Sequence, residues 1–333
     1  MTILLTIICI LIVLYLAALY GIYRAVFGSR PIKKRKDLTY NIPTSEQYQE
    51  QRDVMVDLIR NLKTVPYEEI SCRSRDGLIL KGRYYKAGSK PEKEKKEENE
   101  KRISKENGKE ARNLCAILFH GYRSSAVRDF AGGAREMILL GIPTILVDER
   151  GQGHSGGRCV TFGAMERYDV LSWTEKAVEM FGKDVGIYLY GISMGGAAVL
   201  LSSGLPLPEN VKGIVADCPF SSAKDIICTV IRGMHLSDRI LYPLIFQAAG
   251  LFGHFSLNHT NVRDAVKKAS VPILIVHGED DRFVPVEESR AIQKASPEKV
   301  DLEIFPKAGH GISYILDRGR YQKLIQAFMG FDL

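Results

Sequence analysis

Five short apolar runs constrain this chain more than any other feature. They are LCAILFHG (114–121), IPTILVDE (142–149), VGIYLYG (185–191), VKGIVADCP (211–219) and VPILIVHG (271–278). Each has the length of one strand, and none keeps a regular apolar–polar alternation. Such a strand must be covered on both faces, a condition met by a parallel sheet between two helix layers. Helical stretches at about 127–140, 164–181, 194–204, 285–296 and 316–329 separate or follow the runs. Strand–helix alternation at this spacing predicts an α/β fold with a mostly parallel sheet, helices on both faces, and a site beyond the carboxyl ends of the strands.

Upstream, YEEISCRS and LILKGRYY read as two strands joined through the Asp76-Gly77 turn. Residues 44–63 have the pattern of an amphipathic helix, with Val54, Val56, Leu58, Ile59 and Leu62 as its apolar positions. Residues 86–113 are a charged, low-complexity insertion with too little apolar surface to offset the entropy of ordering. The expected organisation is 1–36 as an apolar helix with a basic flank, 37–64 as a helical linker, and 65–333 as one α/β domain. Within that domain, 220–268 breaks the strand–helix rhythm and is expected to form a helical cap.

The formal charge is +7 over 333 residues, but it is not spread over the body. Arg24, Arg30, Lys33, Lys34, Arg35 and Lys36 cluster beside the apolar helix, and residues 86–112 hold ten Lys/Arg against seven Glu. Without these two segments the chain is slightly acidic, which argues against nucleic-acid binding. Six scattered cysteines (Cys9, Cys72, Cys115, Cys159, Cys218, Cys228) contain no C-x-x-C pair, so neither a zinc site nor a dense disulfide framework is expected.

From Met1 to Tyr23 no side chain is charged. At ~1.5 Å per residue a helix of this length spans roughly 30 Å, the hydrocarbon thickness of a bilayer. A signal peptide normally carries basic residues before its apolar core, whereas here RPIKKRK follows it. The expectation is a retained single-pass anchor, with Tyr15, Tyr20 and Tyr23 at the interface and the body on the cytoplasmic side by the positive-inside rule.

Chemistry concentrates at the strand ends. YGISMGG (190–196) puts Ser193 between a strand and a helix of small residues, with Gly191 and Gly195 two places to either side. A turn sharp enough to expose the serine hydroxyl forces those two positions together, and only glycine fits. The following helix N-terminus offers the Met194 N–H to developing negative charge. A nucleophilic hydroxyl needs a base, and the base needs an orienting acid. His310, flanked by glycines in KAGHGISY, is the candidate base. In VPILIVHGEDDRFVP, Asp281 or Asp280 is the candidate acid, with Glu279 a weaker third. His120 and His277, each before a glycine at a strand end, read as turn-stabilising residues. Cys218 follows a strand with no base assigned to it.

With these motifs the chain from about residue 65 onward resembles an α/β-hydrolase. HGY at 120–122 resembles the family's oxyanion turn, and DERGQGHSGG at 148–157 its D-x-R-G-x-G-x-S turn. HGEDDRFVP resembles H-G-x-x-D-x-x-V-P, a register that selects Asp281 over Asp280. The DCPFSS segment and the apolar N-terminus resemble membrane-anchored bacterial members of the serine aminopeptidase-like and acyl-peptidase-like branch. The resemblance implies a triad of Ser193, His310 and Asp281, an oxyanion hole from the Tyr122 and Met194 N–H groups, and no metal or cofactor. Gln152 departs from the family pattern, which often has His there, in a turn read as structural.

Family precedent places the cap above the nucleophile, so Leu241, Ile245, Phe246, Leu251 and Phe252 are expected to line an acyl pocket. A membrane-tethered body with an apolar cap suits a small acyl-ester or lipid-like substrate. Peptidase, thioesterase and acyltransferase activities share the same acyl-enzyme chemistry. A silent, membrane-bound binding module is the reading from another class, opposed by the presence of all three triad residue types.

Overall fold

The computed structural model describes residues 1–29, 40, 42–90 and 113–331. Most of the charged insertion (91–112) and most of the basic cluster (30–36) therefore lie outside the described residues. Among the described residues, eight strands form one sheet: β1 (Glu68–Arg73), β2 (Ile79–Tyr85), β3 (Leu114–Phe119), β4 (Thr144–Val147), β5 (Gly186–Ile192), β6 (Val211–Asp217), β7 (Ile273–Gly278) and β8 (Val300–Phe305). Their order is β1-β2-β4-β3-β5-β6-β7-β8. β2 pairs antiparallel with both β1 and β4, and the remaining neighbours pair in parallel.

The central strands show why they had to be apolar throughout. In β3, Cys115, Ile117 and Phe119 enter one core while Ala116 and Leu118 enter the other, and all five are fully buried. β7 divides likewise, Ile273 and Ile275 to one side, Leu274 and Val276 to the other. Successive side chains point to opposite faces, so a strand covered twice has no position left for a polar residue.

The helices are α1 (Thr2–Val26), α2 (Glu46–Gln49), α3 (Arg52–Lys63), α4 (Ala126–Asp129), α5 (Ala131–Leu139), α6 (Glu166–Phe181), α7 (Met194–Ser202), α8 (Ala223–Gly233), α9 (Asp238–Ala248), α10 (Val262–Val266), α11 (Glu287–Ala295), α12 (Ser313–Leu316) and α13 (Arg318–Phe328). One face of the sheet is covered by α6, α7, α10 and α11, with α8 and α9 beyond them. The other is covered by α3, α4, α5 and α13. Residues 44–63 thus form α2 and α3, and α3 buries Met55, Ile59 and Leu62 while Val54 faces solvent.

α1 is long and apolar enough to cross a membrane. Its last turns are nonetheless part of the folded body. Leu19, Tyr23 and Phe27, spaced by four, form a buried stripe continuous with the first core. Phe27 meets Phe162 and Phe255 edge-on, and Phe252 packs on Tyr20 and Tyr23. Beyond Phe27 the chain is pinned by Ser29 N donating to Arg158 O (2.9 Å) and Val160 N donating to Phe27 O (2.8 Å).

The turn after β4 is held by a buried ion pair. Arg150 meets Asp169 through Nε–Oδ2 and Nη2–Oδ1, both 2.6 Å, and reaches Asp76 in the β1–β2 turn at 3.0 and 3.1 Å. This network ties the D-x-R-G turn to α6 and the hairpin, in keeping with a structural role. Gln152 lies buried in the same turn.

Candidate active site

Ser193 is the single residue between β5 and α7, with φ 55° and ψ −115°, a backbone region that non-glycine residues avoid. The neighbouring glycines make the turn possible. A Cβ on Gly191 would lie 2.2 Å from the Gly195 carbonyl oxygen, and one on Gly195 would lie 2.0 Å from that of Phe119. Ser193 N donates to Asp217 O at 2.8 Å, fastening the turn to the end of β6.

His310 occupies the loop after β8. Its Nδ1 is 2.7 Å from Asp281 Oδ2, just beyond β7. Asp281 is fixed in turn, since its Oδ1 accepts from the N–H groups of Phe283 (2.9 Å) and Val284 (2.8 Å). Burial alone would raise this carboxyl. The positive field of His310, with hydrogen bonds from His277 and His310, holds it far below the usual carboxylate range. Glu279 and Asp280 point outward. The structure therefore brings Asp281, and not its neighbours, to the imidazole.

The HGY turn stands opposite. Gly121 N donates to Asp129 Oδ2 (2.9 Å), and a Cβ at Gly121 would lie 3.3 Å from Ser193 Cβ. Asp129 also takes Ser124 Oγ and, at 3.0 Å, Arg128 Nε. Burial works to raise this carboxyl too, and Arg128, His120 and the hydrogen bonds more than offset it. His120 bridges Gly121 O (2.8 Å) and Glu149 N (3.2 Å), and His277 bridges Ser289 Oγ (2.6 Å) and Val284 O (2.8 Å). Both histidines serve the turns, and His277 Nε2 also lies 3.4 Å from Asp281 Oδ2.

A cavity of about 340 Å³ opens over these residues, within the range of small-molecule sites. Ser193, His310, Gly121 and Tyr122 line its reactive end, and Met55, Leu58, Phe130, Tyr190, Ile192, Tyr314 and Ile315 give it apolar walls. The cap residues are placed elsewhere. Leu241, Ile245, Phe246, Leu251 and Phe252 are absent from the lining; Ile245 is buried in the first core and Phe252 packs on α1. Leu251 is exposed, Leu241 and Phe246 are half-buried against the first core, and the wall facing the serine comes from α3, α4 and α5.

Cys218 also departs from expectation, because a base does lie beside it: His310 Nε2 is 3.9 Å from its Sγ. Burial, then the charges of Asp217 and Asp281, push this thiol well above its usual range, so it is held as a neutral neighbour of the imidazole. Sequence reasoning missed Asp129, Gln47, Tyr48 and the chain Tyr190–Tyr321–Asp217, in which Tyr321 Oη donates to Asp217 Oδ2 at 2.8 Å. A carboxylate eight residues past Gly121 was the one available signal for Asp129.

The sheet order, the lone antiparallel β2 and the serine turn between β5 and α7 define an α/β-hydrolase-fold protein. A family model described as serine aminopeptidase, S33, matches residues 110–255. The chain is 26% identical over 195 residues to the uncharacterized protein YqkD of Bacillus subtilis, covering 57% of this chain and 63% of that one, less than two thirds of its length. It is 24% identical to the monoacylglycerol lipase of Mycolicibacterium smegmatis, covering 59% of this chain and 80% of the lipase. Among solved structures, the Pyrococcus furiosus esterase Pf2001 superposes with a TM-score of 0.59 at 20% identity, covering 81% of this chain and 92% of the esterase.

Proposed function

We propose that this protein is a membrane-anchored serine hydrolase that cleaves carboxylic esters through an acyl-enzyme. The observation that carries the proposal is the buried Asp281–His310 pair, joined at 2.7 Å, in a cavity shared with Ser193 on its strained turn. In this reading His310 Nε2 takes the proton as Ser193 Oγ attacks the acyl carbonyl. Asp281 holds the Nδ1–H tautomer and stabilises the imidazolium. The Tyr122 and Met194 N–H groups receive the oxyanion. The imidazolium then protonates the leaving alcohol, and water repeats the cycle to free the acid and regenerate Ser193.

The apolar walls from Met55, Leu58 and Phe130 favour an aliphatic acyl group over a charged one. The relative named as a monoacylglycerol lipase supports the same substrate class. A second reading, release of an N-terminal amino acid, draws on the S33 family match and on Asp129 and Asp217, carboxylates that line the cavity. Both are poorly suited to grip an ammonium group. Asp129 is already bound by Gly121, Ser124 and Arg128, and burial raises Asp217 to about 7.

The anchor reading rests on α1. Residues 2–18 are exposed, tied to the body through Tyr15 Oη donating to Gln247 Oε1 (2.6 Å), and at ~1.5 Å per residue they extend roughly 26 Å, near the thickness of a hydrocarbon core. By the positive-inside rule, the basic residues after the helix favour a body on the cytoplasmic side.

The test is hydrolysis of p-nitrophenyl esters of increasing chain length by the full chain in detergent, with Ser193→Ala as blank and an alanine p-nitroanilide as the peptidase substrate. Serine-dependent ester turnover is expected. Turnover of the anilide alone moves the assignment to a peptidase, and no serine-dependent reaction with either removes it.

A further inference from the structure

The two loops that would carry the chemistry are each gripped by a segment outside the family match. We propose that the N-terminal segment is a working part of the active centre: the end of α1 positions the oxyanion turn, and α2 positions the histidine loop. The inference rests on the catalytic roles proposed above for Ser193, His310 and the Tyr122 N–H.

The first grip lies at the carboxyl end of α1. Its last carbonyls have no partner within the helix and need donors from elsewhere. Tyr122 Oη donates to Val26 O at 2.6 Å, and Arg123 Nη2 donates to Ala25 O at 2.7 Å and Gly28 O at 3.3 Å. These two residues directly follow His120-Gly121, and Arg123 sits at φ 52°. The oxyanion turn is thus held from two sides, by Asp129 at Gly121 N and by α1 through the Tyr122 and Arg123 side chains. Since α1 is itself fixed through Phe27 and Ser29, it can bear that load.

The second grip lies at His310. Tyr48 Oη donates to His310 O at 2.8 Å, and His310 N donates to Gln47 Oε1 at 3.3 Å. Both polar groups of the histidine's own backbone are therefore claimed by α2. The need is physical. His310 sits between Gly309 and Gly311, the latter at φ 65°, and a loop of that composition has wide conformational freedom. Asp281 orients the ring but does not fix the backbone that carries it. Tyr48 is half-buried, and burial pushes its hydroxyl well above the usual phenol range, so it stays a donor in this contact.

One consequence is that the position of α1 and that of the oxyanion turn are coupled. Displacing α1 releases the turn that receives the oxyanion while Ser193, His310 and Asp281 stay in place.

The experiment uses the full chain in detergent micelles, with Tyr122→Phe, Tyr48→Phe and the double variant. Each phenylalanine keeps the ring and the backbone N–H and removes one donor. The readouts are kcat and KM on p-nitrophenyl butyrate, the rate of Ser193 labelling by a fluorophosphonate, and amide exchange at 120–124 and 308–312. Tyr122→Phe is expected to lower kcat about tenfold with KM within about twofold, the scale of one lost positioning hydrogen bond. Tyr48→Phe is expected to lower kcat similarly and to displace the pH midpoint of kcat. Each variant should speed exchange in its own loop and not in the other. Unchanged exchange in both loops, or wild-type kcat and labelling in both variants, overturns the inference. If the wild-type protein neither turns over esters nor labels, the catalytic reading falls and exchange alone decides whether the grips hold.

Discussion

Replacing Asp281 by asparagine tests the reading at its most specific joint. Asp281 Oδ1 accepts from Phe283 N and Val284 N, and an asparagine carbonyl oxygen can keep both contacts. The amide nitrogen then falls where Oδ2 meets His310 Nδ1 at 2.7 Å. An N–H donor there demands an unprotonated Nδ1, which moves the ring proton to Nε2, the atom that must receive the Ser193 proton. The variant should fold and bind substrate while lacking the competent tautomer. The loss expected is on the order of 10⁴ in kcat, or roughly 5 kcal/mol of transition-state stabilisation, with KM little changed. The assay is steady-state hydrolysis of p-nitrophenyl butyrate by the full chain, with Ser193→Ala as the floor. Asp280→Asn is the control: Asp280 is exposed and its backbone N–H bonds Ala308 O, so its side chain should be dispensable to within about twofold. An Asp281→Asn enzyme within tenfold of wild type, or a damaging Asp280→Asn, refutes the geometry.

Leu58→Trp, which fills the apolar end of the cavity, should shift the preferred acyl chain shorter by about two carbons, each buried methylene contributing ~0.8 kcal/mol, while Phe246→Ala leaves the optimum unmoved. A shift with Phe246→Ala and none with Leu58→Trp would return the pocket to the cap. Arg150→Met leaves the Asp169 carboxylate buried without its partner and should cost about 3–5 kcal/mol in urea denaturation; an unchanged midpoint would show the ion pair to be idle. Asp217 is raised to about 7, chiefly by burial, so the stability it contributes is complete below the unfolded pKa of ~3.9 and is lost as pH rises through about 7. Asp217→Asn should therefore gain on wild type between about pH 4 and 8, by up to the order of 4 kcal/mol, and parallel stability curves would contradict the raised value.

Legibility in the sequence followed the range of the forces involved. The strands could be read because burial on both faces leaves no polar position, a condition each run states by itself. Ser193 could be read because the clash between Gly191 and Gly195 is confined to five consecutive residues. Choosing between Asp280 and Asp281 was harder. Both are carboxylates after the same strand, and residue type is silent on which one the turn folds inward. The N–H groups of Phe283 and Val284 close on Asp281 and turn it inward.

The cavity wall was not legible, because an apolar side chain carries no address. Leu241 to Phe252 is as suited to lining a pocket as to packing on a helix, and for Phe252 the deciding partner is Tyr23 of the stripe Leu19–Tyr23–Phe27. That stripe is invisible in a run where nearly every residue is apolar. The same reasoning explains Tyr48 and Gln47: their contacts with His310 span 262 and 263 residues of sequence, and nothing local marks them. A long apolar N-terminus thus has two requirements that composition cannot separate, length for a bilayer and a four-residue spacing of large side chains for the body. α1 is long and apolar enough for the first, and its buried end supplies the second.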